Sequence, residues 1–236
     1  MISIVTGTLN RVDLLPKLID NTVLSNDKIE LVLVDGGSTD GTLEYIKSLN
    51  NSNIKLIEVG GRSPYPHFMN LGIKNATHEW ICQWNDDVIL VSDWECIINE
   101  INNENDFYLF NWKYGNFDDI ENSDWLKGDI HTSGWCLVDE TTKNGEIVMN
   151  YGLYNKKIFR DIGMYNNAYK YYYADGDMAY RAHKFGYNHK SLRHIKVCSL
   201  ITPKKATHSE SDTKIYKDNL AMYDNKKLPN NLEYLI

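Results

Sequence analysis

The chain has little cysteine: four residues in 236, with no CxxC pair among them. Cys82, Cys96, Cys136 and Cys198 are scattered, and a disulfide framework is out of place in a chain of this length, so they read as thiols in a reducing cytosol. No apolar run approaches the roughly 20 residues that a membrane span needs. The chain opens directly on Ile2-Ser3-Ile4-Val5-Thr6, without the basic and long apolar regions of a signal peptide. A cytoplasmic protein is expected, with peripheral contact at a membrane left open. There is no basic stripe either. Acidic and basic residues interleave to a net charge of −7, which argues against a nucleic-acid partner. No GxGxxG follows a strand, which disfavours a dinucleotide-dependent oxidoreductase. With no Pro- or Ser-rich linker and no internal repeat, residues 1–236 are expected to form a single domain.

What is present is a repeating alternation. Ile29 to Val34 is almost continuously apolar, as a parallel strand covered on both faces requires. The turn formers Asp35-Gly36-Gly37-Ser38-Thr39-Asp40-Gly41-Thr42 follow, then Leu43, Ile46 and Leu49 at helical spacing. Ser38, Thr39 or Asp40 can cap that helix. Before it, Ile2–Thr6 reads as a strand, and Leu14, Leu15, Leu18 and Ile19 line one side of a helix. After it come a strand at Ile54–Glu58, a short helix holding Phe68 to Ile73, and a strand at Trp80–Trp84. These βαβ units predict an α/β fold: a three-layer α/β/α sandwich, Rossmann-like, around a mostly parallel sheet with ligands at the strands' carboxyl ends. Beyond Phe107 the pattern changes. Phe107–Trp112 and Gly134–Val138 read as strands, Lys156–Ile162 and Asp175–Phe185 as helices.

Three of the early strands end in groups able to do chemistry: Thr6-Gly7-Thr8, Asp35-Gly36-Gly37 and Asn85-Asp86-Asp87. Singly, each is ordinary turn and cap chemistry. Together, at neighbouring strand ends, they can bind a nucleoside and a divalent cation bridging its phosphates. Hard cations take oxygen ligands, so Asp87, with Asp86 beside it, is the natural holder of Mn²⁺ or Mg²⁺. Arg62, in the loop after the third strand, can set a positive charge against a diphosphate.

The order and spacing of these blocks resemble the inverting GT-A glycosyltransferases of family 2. The resemblance runs through Ile2–Thr6 with Asn10, Leu33–Thr42, Asn70-Leu71-Gly72-Ile73 with Ala76, and Glu79-Trp80-Ile81 leading to Asn85-Asp86-Asp87. It continues in Tyr151–Tyr154, Ile158-Phe159, Ile162-Gly163, Asp175-Gly176-Asp177-Met178, Arg181 and Gly186-Tyr187, covering about residues 1–190. It implies a nucleotide-sugar half over 1–105 and an acceptor and catalytic-base half over 106–236. The donor would be a nucleoside diphosphate sugar, UDP-sugar favoured, and the acceptor a carbohydrate or glycolipid. Thr6, Thr8, Asn10, Asp35, Gly36, Arg62, Asn70, Asp86 and Asp87 would form the donor site. The chain departs from the family pattern at Gly36, Asn85 and Ala174, where acidic residues are common.

Two carboxylates compete for the part of catalytic base. On a helical wheel Asp175 lies on the apolar stripe of Met178, Ala179, Ala182 and Phe185, whereas Asp177 faces away with Tyr180 and Lys184. Asp177 also stands one turn before Arg181 and can pair with it. Helix face and family alignment both favour Asp175. The fold often returns a C-terminal histidine to the metal, which makes His208 the expected further ligand and His194 an alternative. Lys204 and Lys205 can close over a diphosphate or simply be solvated. The aromatics Trp112, Tyr114, Trp125 and Trp135, and Tyr169 and Tyr171–Tyr173, can stack on an acceptor glycan or fill the core. A sugar-1-phosphate nucleotidyltransferase and a catalytically silent sugar-nucleotide-binding subunit stand as the alternatives.

Overall fold

The computed structural model describes residues 1–114, 149–170, 172–200 and 209–236. Eight strands form one sheet: β1 (Ile2–Thr8), β2 (Ile29–Asp35), β3 (Ile54–Glu58), β4 (Trp80–Gln83), β5 (Val88–Leu90), β6 (Asp106–Tyr114), β7 (Gly152–Asn155) and β8 (Asn188–Ser199). Their order across the sheet is β3-β2-β1-β4-β7-β6-β8-β5. The first four run parallel. Strand β7 enters antiparallel between β4 and β6. Strand β8 then runs parallel to β6, and β5 closes the edge antiparallel to β8. The sheet is therefore mostly parallel, with its antiparallel pairs confined to the second half and the edge.

Alternation along the strands divides two cores. On β1, Ile2 and Ile4 enter one cluster and Val5 the other; on β2, Leu31 and Leu33 separate from Val32 in the same way. One face is covered by α1 (Leu15–Asn21), α2 (Thr42–Ser48) and α4 (Trp94–Glu100), through Leu15, Leu18, Ile46, Trp94 and Ile97. The other carries α3 (Tyr65–Asn75), α5 (Lys156–Ile162), α6 (Ala174–Lys184) and α7 (Glu210–Asp224), through Met69, Ile73, Phe159, Met178, Ala182 and Tyr216. Three layers result. Among the described residues, no helix is long and apolar enough to cross a membrane.

The start of α2 differs slightly from the sequence expectation. Gly41 is its N-cap, at φ 97°, a left-handed conformation that glycine adopts without Cβ strain. Asp40 still serves the first turn, accepting from the Thr42 amide at 3.1 Å. The strand expected at Gly134–Val138 lies outside the described residues.

Candidate active site

The carboxyl ends of β1 and β2 and the loop after β4 open on one cleft of about 790 Å³. Thr8, Asp35, Gly36, Arg62, Asp86 and Asp87 line it, as do Arg11, Tyr65, Phe68, Asn85 and Lys170. The loops that follow β1 and β2 are stitched together. The Asn10 amide donates to Ser38 Oγ at 2.9 Å and Asn10 Oδ1 accepts from the Thr39 amide at 2.8 Å. Asp35 is buried and organises its own turn, accepting from the Gly37 and Ser38 amides at 2.7 and 3.0 Å and from the Ser38 hydroxyl.

The carboxylate pair sits on the loop between β4 and β5. Burial drives Asp86 up to about 6, against the opposing pull of Arg11, while neighbouring Asp87 raises it further. The Arg11 Nε lies 3.3 Å from Asp86 Oδ2. Burial raises Asp87 as well. Asp87 is braced by β8: its carbonyl accepts from the Leu200 amide at 2.7 Å, and Ser199 Oγ approaches Oδ2 at 3.5 Å. Two adjacent half-buried carboxylates, both shifted toward the proton, form a site short of positive charge. Their hard oxygens suit Mn²⁺ or Mg²⁺. Among the described residues, no three His, Cys, Asp or Glu side chains gather as a metal-binding group, and His208 lies outside those residues.

Not every expected residue reaches the cleft. Asn70 does not. Its amide is buried under α3, donating to the Tyr165 carbonyl at 2.8 Å and accepting from the Tyr165 amide at 3.0 Å. It ties α3 to the loop after α5. Thr6 is buried within β1, its hydroxyl donating to the Gly7 carbonyl at 3.1 Å. Asn10 is exposed and shapes the loop rather than lining the cavity. His194 pairs with Glu100 at the far edge, away from the carboxylates. Tyr169 is core, whereas Tyr173 stacks on Tyr216 with centroids 4.7 Å apart. Trp125, Trp135, Tyr171, Lys204 and Lys205 lie outside the described residues.

Asp175 stands in the first turn of α6, and burial raises its carboxyl above the ordinary range. Its charge acts on Tyr65, which lines the cleft, and on Tyr165, which packs edge-on against Tyr65 at 5.7 Å. Asp177 requires a correction. It does not face away from the protein but is fully buried, because α7 covers that side of α6. Its pairing with Arg181 is held at 4.0 Å. Arg11, Tyr65 and Lys170 were missed in the sequence. Arg11 follows Asn10 directly, and Lys170 lies within the tyrosine-rich run, so adjacency to a recognised block was the available signal.

Parallel strands ending on a carboxylate-bearing cleft, with a second half folded back through antiparallel strands, define the GT-A glycosyltransferase architecture. The description glycosyl transferase family 2 matches residues 3–182, and the chain belongs to that family. No curated protein matches the sequence. Among solved structures, it resembles S. aureus TarS 1–349 in complex with UDP, at TM-score 0.69 and 17% identity over 94% of this chain and 64% of that one. GalNAc-T7 with UDP, GalNAc and Mn²⁺ aligns at TM-score 0.70 and 14% identity, over 94% of this chain and 48% of its own. The mannosyltransferase PcManGT from Pyrobaculum calidifontis, with GDP-Man and Mn²⁺, aligns at TM-score 0.59 and 15% identity, over 86% and 57%. The chain thus spans less than two thirds of each of these structures' chains.

Proposed function

We propose that this protein transfers a sugar, with inversion, from a nucleoside diphosphate sugar to a hydroxyl of a carbohydrate or glycolipid acceptor. The observation that carries the reading is the convergence of Thr8, Asp35, Asp86 and Asp87 on one cleft. The nucleotide would lie against the β1 and β2 loops, between Thr8 and Gly36. TarS and GalNAc-T7 were solved with UDP and PcManGT with GDP-Man, all nucleoside diphosphates; of these a UDP-sugar is the donor we favour. Arg62 has no ion-pair partner among the described residues and lines the cleft, so it is available to the diphosphate.

Asp87 and Asp86 would hold the divalent cation, with His208 a further ligand. A bound cation supplies Lewis-acid stabilisation of charge on the departing diphosphate. Arg11 shares Asp86 with that role, and its release from the carboxylate would accompany loading. Asp175 accepts the proton of the acceptor hydroxyl as that oxygen bonds to the anomeric carbon. The carbon–oxygen bond to the diphosphate breaks on the opposite face, and its electron pair leaves with the nucleotide. A carboxyl raised by burial is a stronger base than an ordinary aspartate. Transfer should therefore fall away as pH drops through a midpoint above 3.8.

A thermal-shift panel of UDP, GDP and dTDP with Mn²⁺ tests the donor site. UDP is expected to raise the melting temperature most, and the reading fails if none of the three does. Asp87→Ala should remove the metal-dependent part of that rise. Asp175→Asn should abolish transfer and keep donor binding; loss of both together would assign Asp175 a structural role instead. A wild-type protein that binds UDP yet neither transfers nor hydrolyses any donor sugar would favour the silent binding subunit, for which Asn85 in place of a carboxylate is the argument.

A further inference from the structure

Helix α7 buries an unusual set of side chains. Asp212, Tyr216, Asn219 and Tyr223 are the buried ones, spaced along one face at four, three and four residues. Each carries a polar group, although a helix docked only for stability would bury aliphatic ones. The Tyr216 ring also enters the core, and Ile215 and Leu220 pack against it from the flanks. The polar groups converge on a single segment, 169–177. Asp212 accepts from the Lys170 and Tyr172 amides at 3.2 and 3.3 Å. Tyr216 stacks on Tyr173 and touches Gly176, where an added Cβ would stand 3.5 Å from its hydroxyl. Asn219 Nδ2 and Tyr223 Oη donate to Asp177 Oδ1 at 2.8 and 2.9 Å.

From the other side the same carboxylate accepts from the Tyr169 hydroxyl at 2.8 Å. Arg181, also fully buried, donates to the Met164 carbonyl at 2.6 Å and holds the loop after α5. Between these anchors lies Tyr173, a non-glycine residue at φ 71°. That conformation costs free energy and persists only where its surroundings impose it. Its carbonyl accepts from the Asp177 amide at 2.7 Å, closing the first turn of α6 around Asp175.

We propose that the polar stripe of α7, centred on Asp177, is a clamp that imposes the left-handed turn at Tyr173 and thereby fixes the Asp175 carboxyl at the start of α6, where it accepts from the Gly176 amide at 2.9 Å. Asp177 is a positioning residue. It acts through Asp175 and touches no substrate. Buried networks of this kind fix register more than they add stability, because a slipped partner leaves groups unpaired in a low dielectric. The catalytic consequence rests on Asp175 being the base; the clamping of its carboxyl does not.

The test uses the full chain. Tyr223→Phe and Asn219→Leu keep the side-chain bulk and remove the donors to Asp177, singly and together. Lys214→Ala, on the exposed face of α7, is the control. Carbon-13 NMR reads the Asp175 carboxyl titration, assigned by Asp175→Asn, and amide exchange reads Gly176 and Asp177. In the double variant the titration is expected to move toward the ordinary aspartate range and amide exchange to accelerate. Its kcat should fall about tenfold or more at unchanged donor KM, since small misplacements of a reacting group carry losses of that order. A double variant whose titration, exchange and kcat match wild type overturns the proposal, whatever its melting temperature. A moved titration with unaltered kcat, where Asp175→Asn is inactive, overturns the positioning role. Transfer surviving in Asp175→Asn counts against the base reading alone, and the titration then decides the clamp.

Discussion

Glu30 and Asp86 are both withdrawn from water and yet are shifted in opposite directions. At Glu30 burial alone would raise the carboxyl, but Ser3, Thr77 and Lys55 all donate to it and bring it down to about 2. At Asp86 burial wins, because Arg11 is the main opposing partner and Asp87 adds a like charge. A carboxyl depressed on folding stabilises the fold above its unfolded value of 4.5, and that stability is lost as pH falls toward 2. Glu30→Gln should therefore cost about 2–3 kcal/mol at neutral pH. In urea titrations the gap to wild type should narrow below about pH 4.5. A gap that stays constant with pH would assign the loss to packing. The satisfied carboxylate lies away from the cleft and the strained pair lines it, which is the distribution expected when a ligand supplies the missing charge.

Close backbone approach governs the elements around the site. Helix α3 lies on β1 and β2 at Gly72, where a Cβ would stand 2.3 Å from Val5 Cγ1. At Gly152 a Cβ would meet the Tyr108 carbonyl of β6 at 2.0 Å. Gly72→Ala should destabilise by about 1–3 kcal/mol, since a valine methyl must be displaced. Gly152→Ala should lose more, because a ladder carbonyl cannot yield without breaking the β6–β7 pairing. Equilibrium unfolding of the two variants checks the order, and equal losses would contradict it. The same elements show which were legible in sequence. The strands β1, β2 and β4 and the helices α1, α3, α5 and α6 carry apolar runs or stripes that announce their period. The short β5, the half-exposed β8 and the polar-faced α7 do not, for their burial depends on partners distant in the chain.

At the scale of the molecule, one sheet joins the cleft-lining strands β1 and β2 to the second half through the antiparallel insertion of β7. The single-domain reading then predicts one cooperative unfolding transition, moved as a whole by nucleotide. UDP at 100 times its Kd, with Mn²⁺, should add about 2.7 kcal/mol to the folded state. Calorimetry resolving two transitions, of which nucleotide moves only one, would divide the chain. By itself the sequence determined the βαβ alternation, the family, and the strand ends where chemistry gathers, because apolar period and turn residues are local properties of the chain. It could place Thr8, Asp35 and the Asp86–Asp87 pair at one cleft, since parallel strands must end on the same side. Only the tertiary structure withdrew Asn70 into the α3 interface and brought Arg11 to Asp86. Only it turned Asp177 from a supposed surface residue into the buried centre of the α6–α7 contact. A helical wheel reports which residues share a face, but which faces are covered depends on what packs there, and the helix that covers Asp177 begins 33 residues later.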